Sequence, residues 1–206
     1  MMNTQGSLYI ISAPSGAGKS SLVAALVKSV AQICVSVSYT TRAKRPGEED
    51  GVNYNFITQA EFQQMLTDGA FLEQAEVFGN YYGTSEQWVN AQLANGTDVI
   101  LEIDWQGAQQ IRRLRPDAIC IFIVPPSRET LLERLNTRGQ DNDEVITKRM
   151  AEAEREMAHF VEYDYLIIND EFSQALSELE TIVKSQRLKV DKQQLKHEQL
   201  LQKLLS

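Results

Sequence analysis

Residues 12–21 read SAPSGAGKSS and follow directly on the apolar run Leu8, Tyr9, Ile10, Ile11. A buried-strand pattern that runs into a glycine-bearing loop, then Lys19, Ser20 and a helical pattern, is a phosphate-binding arrangement. A bend of small residues lets successive backbone N–H groups face phosphate oxygens, and the next helix adds its positive N-terminal end. Lys19 would bring a full charge to the β- and γ-phosphates, and the Ser20 hydroxyl would be a Mg²⁺ ligand. The usual pattern opens with glycine where Ala13 stands, which costs nothing at negative φ and strains the loop at positive φ. The competing reading is a tight strand-to-helix turn with an incidental lysine. The strand before, the helix after and the adjacent hydroxyls favour the motif.

The chain has 206 residues, enough for one α/β domain with a small insertion or at most two small units. Apolar residues make up 43%, sufficient for a sizeable core, and the net charge of −8 argues against a nucleic-acid polymer or an anionic membrane as partner. Anion recognition must then be local, through a few arginines. No stretch approaches the ~18 to 20 apolar residues of a membrane span. The start, MMNTQGSLYIIS, lacks a secretory pattern, so a cytoplasmic location is expected. Cys34 and Cys120 lie far apart, and Cys120, inside AICIFIV, reads as a buried inert thiol.

Strand-like runs recur at 8–12, 34–38, 99–104, 119–124 and 165–169, several of them continuously apolar, as in parallel strands covered on both faces. Helical patterns fall between them, at 19–30, after the cap Ser127, and over 143–162. The alternation predicts an open, mostly parallel sheet flanked by helices, with a core of about residues 1–38 and 97–187. Residues 39–96 break the rhythm with short alternating pieces and a capping-box signature, Thr58 to Glu61, and read as an inserted α+β lobe. Residues 136–145, NTRGQDNDEV, read as an exposed, movable segment. The tail of about 188–206 carries Leu195, Leu200, Leu201, Leu204 and Leu205 on a helical pattern. It either packs back on its own domain or serves self-association.

Beyond the loop, SVSYTTRAKRPGEEDGVNYNF (36–56) places Arg42 and Arg45 three apart in a segment with no helical face requiring them. With the hydroxyls of Tyr54 and Tyr82 they could surround a second phosphate; solvated arginines are the alternative. LEIDWQG puts Asp104 at the carboxyl end of a strand, where open α/β sheets bind ligands, with Glu102 within the run. Glu73, in FLEQAEVFGNYYGT, could accept the paired N1 and N2 donors of a guanine, or simply be a surface charge. Arg134, Arg138 and Arg149 flank the movable segment, either as lid charges for transferring phosphates or as partners of nearby glutamates. His159 and His197 lie on charged helical stretches and read as solvated.

Together SAPSGAGKSS, SVSYTTRAKRPGEEDGVNYNF, GNYYGT, LEIDWQG, IFIVPPS, RLNTRG and DYLIIND resemble guanylate kinases of the bacterial type, over about residues 7–185. The phosphate loop is shared by many families, whereas the arginine-bearing stretch and GNYYGT are specific to this one. The resemblance implies a P-loop NTPase-type fold and ATP-dependent phosphorylation of GMP, and dGMP, with Mg²⁺. It makes 39–96 a GMP-binding insertion and about 126–145 a lid. The ATP site would comprise Ala13, Pro14, Ser15, Gly16, Ala17, Gly18, Lys19, Ser20, Ser21 and Asn169, the last near adenine. The GMP phosphate would lie among Arg42, Arg45, Glu48, Tyr54 and Tyr82, and guanine among Ser38, Glu73, Thr84 and Asp104. Lys19, Arg42, Arg134, Arg138 and Arg149 would be the catalytic charges; a homo-oligomer through the C-terminal helix stays one of the two readings of the tail. The rivals are a non-catalytic binding module, which would be expected to lose the lysine-bearing loop, and a kinase acting on another phosphorylated acceptor.

Overall fold

The computed structural model describes residues 5–77, 79–137 and 143–206. A parallel sheet carries the fold, with strands in the order β2 (Ile33–Val35), β7 (Asp98–Glu102), β1 (Leu8–Ser12), β8 (Ile119–Val124) and β9 (Tyr165–Ile168). β1 lies at its centre and every residue of it is buried, which is why its sequence is continuously apolar rather than alternating. Side chains leave it alternately. Tyr9 and Ile11 pack with Leu22 and Leu26 of α1 (Lys19–Ser29) and Leu179 and Val183 of α7 (Phe172–Arg187). Leu8 and Ile10 face the opposite way, toward Val89 and Leu93 of α3 (Glu86–Ala94) and Ile111 of α4 (Trp105–Leu114). A third cluster joins Leu131 and Leu135 of α5 (Arg128–Thr137) to Ile146 and Met150 of α6 (Asp143–Met157).

Between β2 and β7 the chain builds a second sheet in the order β4 (Asn55–Phe56), β3 (Tyr39–Thr40), β6 (Asn80–Ser85) and β5 (Phe71–Val77). Its helix α2 (Gln59–Thr67) starts with the capping box seen in the sequence. Thr58 N donates to Glu61 at 2.7 Å, and Glu61 N donates back to the Thr58 hydroxyl at 3.2 Å. Phe62 then stacks on Phe71 and Tyr81, at 4.6 and 5.5 Å between ring centroids, pinning the helix to the sheet.

Several expected boundaries move. The second strand ends at Val35, because from Ser36 the chain leaves the core sheet for the inserted one; of 52–57 only Asn55–Phe56 forms a strand, and Tyr54 makes an isolated bridge to Asp50. The helix over 143–162 ends at Met157 and tightens into a 3-10 turn, Ala158–Glu162. His159, on that turn, is not simply solvated. Its ring stacks on Trp105 at 3.9 Å, and Nδ1 lies 2.6 Å from a Glu162 oxygen. The tail is not one helix: α8 (Val190–Lys196) and α9 (Glu198–Leu205) are separated from α7 and from each other by non-helical residues. α8 is tied to the N-terminal segment by Lys192, whose ammonium donates to the Gln5 carbonyl at 3.1 Å. α9 buries none of its residues. Cys120 is buried, and burial raises its thiol pKa to about 12, so it stays protonated at neutral pH, as expected. Among the described residues no helix is long and apolar enough to cross a membrane.

Distant ends of the chain meet at Asp98, which is 4% exposed. It accepts the Ser7 N–H at 2.6 Å and the Arg187 Nε–H at 2.8 Å, while Arg187 also donates to the Ala31 carbonyl at 2.8 Å. A buried carboxylate stripped of its cation is costly. Arg187→Ala should therefore lower stability by about 3 kcal/mol, read from urea unfolding, whereas a loss comparable to that of an exposed ion pair would refute the role.

Candidate functional site

The carboxyl ends of β1 and β7 open into one cleft, lined on one side by Ala13 to Gly16, Gly18, Lys19, Ser20 and Ser21. Its other wall comes from the inserted sheet and its approach: Ser38, Arg42, Arg45, Glu48, Tyr54, Glu73 and Tyr82. Glu102 and Asp104 form the floor, and Arg149, Glu152 and Glu156 of α6 complete it.

The loop's shape follows from its glycines. Gly16 and Gly18 have φ of +94° and +89°, a conformation that residues with a Cβ adopt at a cost. Neither has room for one: a Cβ on Gly16 would lie 2.9 Å from a Leu131 methyl, and one on Gly18 would run into the Asn169 amide. Ala13 is not among the described residues with positive φ, so alanine carries no strain there. The Ser20 hydroxyl donates to Glu102 at 2.8 Å, bringing a hydroxyl and a carboxylate together beside Lys19.

In the opposite wall Arg42 is held before any ligand arrives. One guanidinium nitrogen donates to Glu48 at 2.6 Å and another to the Ala43 carbonyl at 2.8 Å, with the Tyr54 ring 5.3 Å below. The Glu48 hydrogen bond raises the pKa of Arg42, and the same bond lowers that of Glu48. Glu48 also accepts the Arg45 backbone N–H at 2.8 Å, so a single carboxylate orients the Arg42 guanidinium and fixes the loop that carries Arg45. Tyr54 and Tyr82 pack edge to face at 5.8 Å, and burial raises the Tyr54 pKa.

Deeper in, Glu73 is 4% exposed and accepts the Thr84 hydroxyl at 2.6 Å. Burial, reinforced by the charge of Asp104, lifts its carboxyl to about 7. Gly107 is required against it, since a Cβ there would lie 2.6 Å from a Glu73 oxygen. Asp104 caps α4, one oxygen accepting the Gly107 N–H at 2.9 Å and the other Gln106 at 3.1 Å.

The structure thus brings most of the expected residues to one cleft. Thr84 reaches it only through Glu73. Asn169 and Arg134 lie behind the loop: the Asn169 amide donates to the Ala17 carbonyl at 2.7 Å, and Arg134 donates to the Asn169 carbonyl at 3.1 Å. Arg138 lies outside the described residues. Three carboxylates of the cleft, Glu102, Glu152 and Glu156, were not assigned a role from the sequence. Glu102 carries the same strand-end signal as Asp104 and could have been read from it. Glu156, on a helix rich in charge, had no such signal. Burial lifts it to about 7, against the pull of Lys19, and the Ser15 backbone N–H is hydrogen-bonded to it.

A family model for guanylate kinase matches residues 5–186. The chain is 60% identical to the guanylate kinase of Saccharophagus degradans over 205 residues, all of both chains. It is 58% identical to that of Hahella chejuensis, over 98% of this chain and 97% of the relative. Among solved structures, the guanylate kinase of Anaplasma phagocytophilum superposes with a TM-score of 0.78 at 32% identity, over 92% of this chain and 90% of that one.

Because the Glu73 carboxyl titrates higher folded than its ordinary 4.5, its contribution to stability is complete below that value and is lost as pH rises through about 7. Glu73→Gln removes this titration. The variant should gain on the parent protein between pH 5 and pH 8, by up to about 3 kcal/mol in urea unfolding. A stability difference independent of pH would contradict the burial effect.

Proposed function

The chain belongs to the guanylate kinase family, and we propose that its two facing anion cradles divide the work of that reaction, ATP + GMP = ADP + GDP. The enzyme is an ATP-dependent phosphotransferase that converts GMP to GDP. One observation carries the division: a single cleft holds the glycine loop with Lys19 on one wall and Arg42, Arg45 and Glu73 on the other.

ATP phosphates belong at the loop, its backbone N–H groups and Lys19. Arg42, Arg45, Tyr54 and Tyr82 take the acceptor phosphate, with Glu48 holding the Arg42 guanidinium and the backbone at Arg45. Guanine belongs deeper, where Glu73 in its ionised form accepts the N1 and N2 donors and Ser38, Thr84 and Asp104 complete the pocket; dGMP, with the same base and phosphate, fits the same set. No side chain need form a covalent intermediate, because an acceptor phosphate oxygen attacks the γ-phosphorus in line. Alignment, exclusion of water and charge neutralisation by Lys19, Arg149, Arg134 and Arg138 remain for the protein. Residues 39–96 form the acceptor lobe and 126–145 the lid, on a core of 1–38 and 97–187, and closure of both over filled sites would overcome the repulsion between two anions.

The family's reaction needs a divalent metal, and Mg²⁺ is the proposed ion. The residues present suit it: the Ser20 hydroxyl and Glu102 carboxylate, 2.8 Å apart, are hard oxygen donors beside the phosphate cradle. Ser20 would ligate the ion and Glu102 would orient its water. Held there, the ion would supply positive charge against the donor phosphates.

A cytoplasmic setting, where charged nucleotides accumulate, belongs to the same reading. So does self-association through α9, whose Leu204 and Leu205 are 70% and 88% exposed. A chain that sediments as a monomer at every concentration would end that part.

Lys19→Ala should lower kcat by about 10³-fold while isothermal titration shows unchanged GMP affinity. A variant with normal turnover would remove Lys19 from the mechanism. Glu102→Gln should raise the Mg²⁺ concentration for half-maximal rate by about tenfold, and an unaltered requirement would leave Glu102 without a metal role.

A further inference from the structure

Resting on the reading of Glu73 as the acceptor of a guanine edge, we propose that Gln110 is a positioning residue for it. The Gln110 amide stands in for a missing strand partner and sets where the Glu73 carboxylate lies. β5 is the outer strand of the inserted sheet, so one row of its backbone groups has no strand beside it. At Gln74 the Gln110 side chain, reaching across from α4, fills that place. Its amide oxygen accepts the Gln74 N–H at 3.1 Å, and its amide nitrogen donates to the Gln74 carbonyl at 2.6 Å. The same nitrogen reaches the Gln106 carbonyl at 3.4 Å, one turn back along the helix.

The grip falls next to the residue that matters. The Gln74 N–H belongs to the peptide unit that leaves Glu73, and that unit is planar, so holding it limits how the Glu73 side chain can swing. Pairing with β6 leaves this stretch less constrained, because the register shifts between Phe71 and Glu73. Such an irregularity bends a strand and re-aims its side chains. α4 supplies the rest of the frame. Asp104, Gly107 and Gln110 follow at intervals of three from the cap of that helix, along one face of it. Gly107 leaves room for one Glu73 oxygen, a Cβ there falling 2.6 Å from it, while the Thr84 hydroxyl donates to the other at 2.6 Å. Gln110 is half-buried and does not line the cleft, so it acts only through β5. A carboxylate meets two parallel N–H donors only in one placement, and a shift of about 1 Å is costly.

Hypoxanthine keeps the N1–H of guanine and lacks its 2-amino group, so the preference for GMP over IMP reads the placement of the carboxylate. Values of kcat/KM for GMP and IMP, and the dissociation constant of ATP, would be measured with the whole enzyme, Gln110→Met and Glu73→Gln. Methionine fills similar space without the amide. Gln110→Met should lower the GMP-to-IMP ratio about tenfold, through the KM for GMP, with ATP affinity unchanged. An unchanged ratio, or an equal loss for both nucleotides, overturns the role of Gln110. Glu73→Gln separates that failure from failure of the underlying reading. If it alone loses the ratio, the guanine reading stands and the Gln110 role falls; if it keeps the ratio, both fall. ATP binding also reports that a variant is folded; should Gln110→Met not bind ATP, Gln110→Ala enters the same comparison, with the same ratio deciding.

Discussion

A small anion can be held by backbone alone only where several N–H groups face one point and their carbonyls find partners elsewhere. Between β1 and α1 this demand shapes everything nearby. Gly16 and Gly18 take positive φ, and the space a side chain would need is already filled by Leu131 and Leu135 on one side and Asn169 on the other. The loop can be stiff because its approach is stiff. β1 is buried along its length and paired in parallel with β7 and β8. Its central position also brings the loop beside the ends of β7 and β9, where Glu102 and Asn169 reach it.

An acidic chain that works on two anions faces an electrostatic problem, and the cleft answers it locally. The Arg42 guanidinium is oriented in advance by Glu48, which also accepts the Arg45 backbone N–H, so Arg42 would lose little side-chain entropy if, as proposed, it takes the acceptor phosphate. Glu73 and Glu156, each raised to about 7 chiefly by burial, can shed part of their charge near neutral pH when no ligand is present. The protein therefore keeps carboxylates in an anion-binding cleft without the full repulsion that permanent charges would exert. Ionised Glu73 is at the same time the form suited to two N–H donors of a purine edge.

The inserted sheet meets the core at α4, where Gln110 exchanges two hydrogen bonds with the Gln74 backbone, at 3.1 and 2.6 Å. Glu73 reaches from β5 to the start of α4, where only a glycine at 107 leaves it room. Asp104 caps that helix through the Gly107 N–H and lines the same cleft. The proposed specificity and the local stability thus draw on the same few atoms, so a change made for one would disturb the other.

Local chemistry was legible in the linear chain. The parallel core could be read from continuously apolar runs, the loop from SAPSGAGKSS, and the start of α2 from Thr58 and Glu61, because strand burial, glycine spacing and capping depend on neighbours in sequence. The pairing of Arg42 and Arg45 was visible for the same reason. What tertiary structure alone decided are contacts between residues far apart: Ser20 with Glu102, Asn169 with Ala17, His159 with Trp105, and Asp98 with Ser7 and Arg187. In each, the partners' identities are ordinary, and only their approach in space gives them a role. Glu156 is the clearest case: one glutamate among several on a charged helix, it acquires a shifted carboxyl because folding buries it beside Ser15 and near Lys19. Burial and proximity are properties of the folded chain, and no periodicity along a sequence encodes the distance between two of its distant segments.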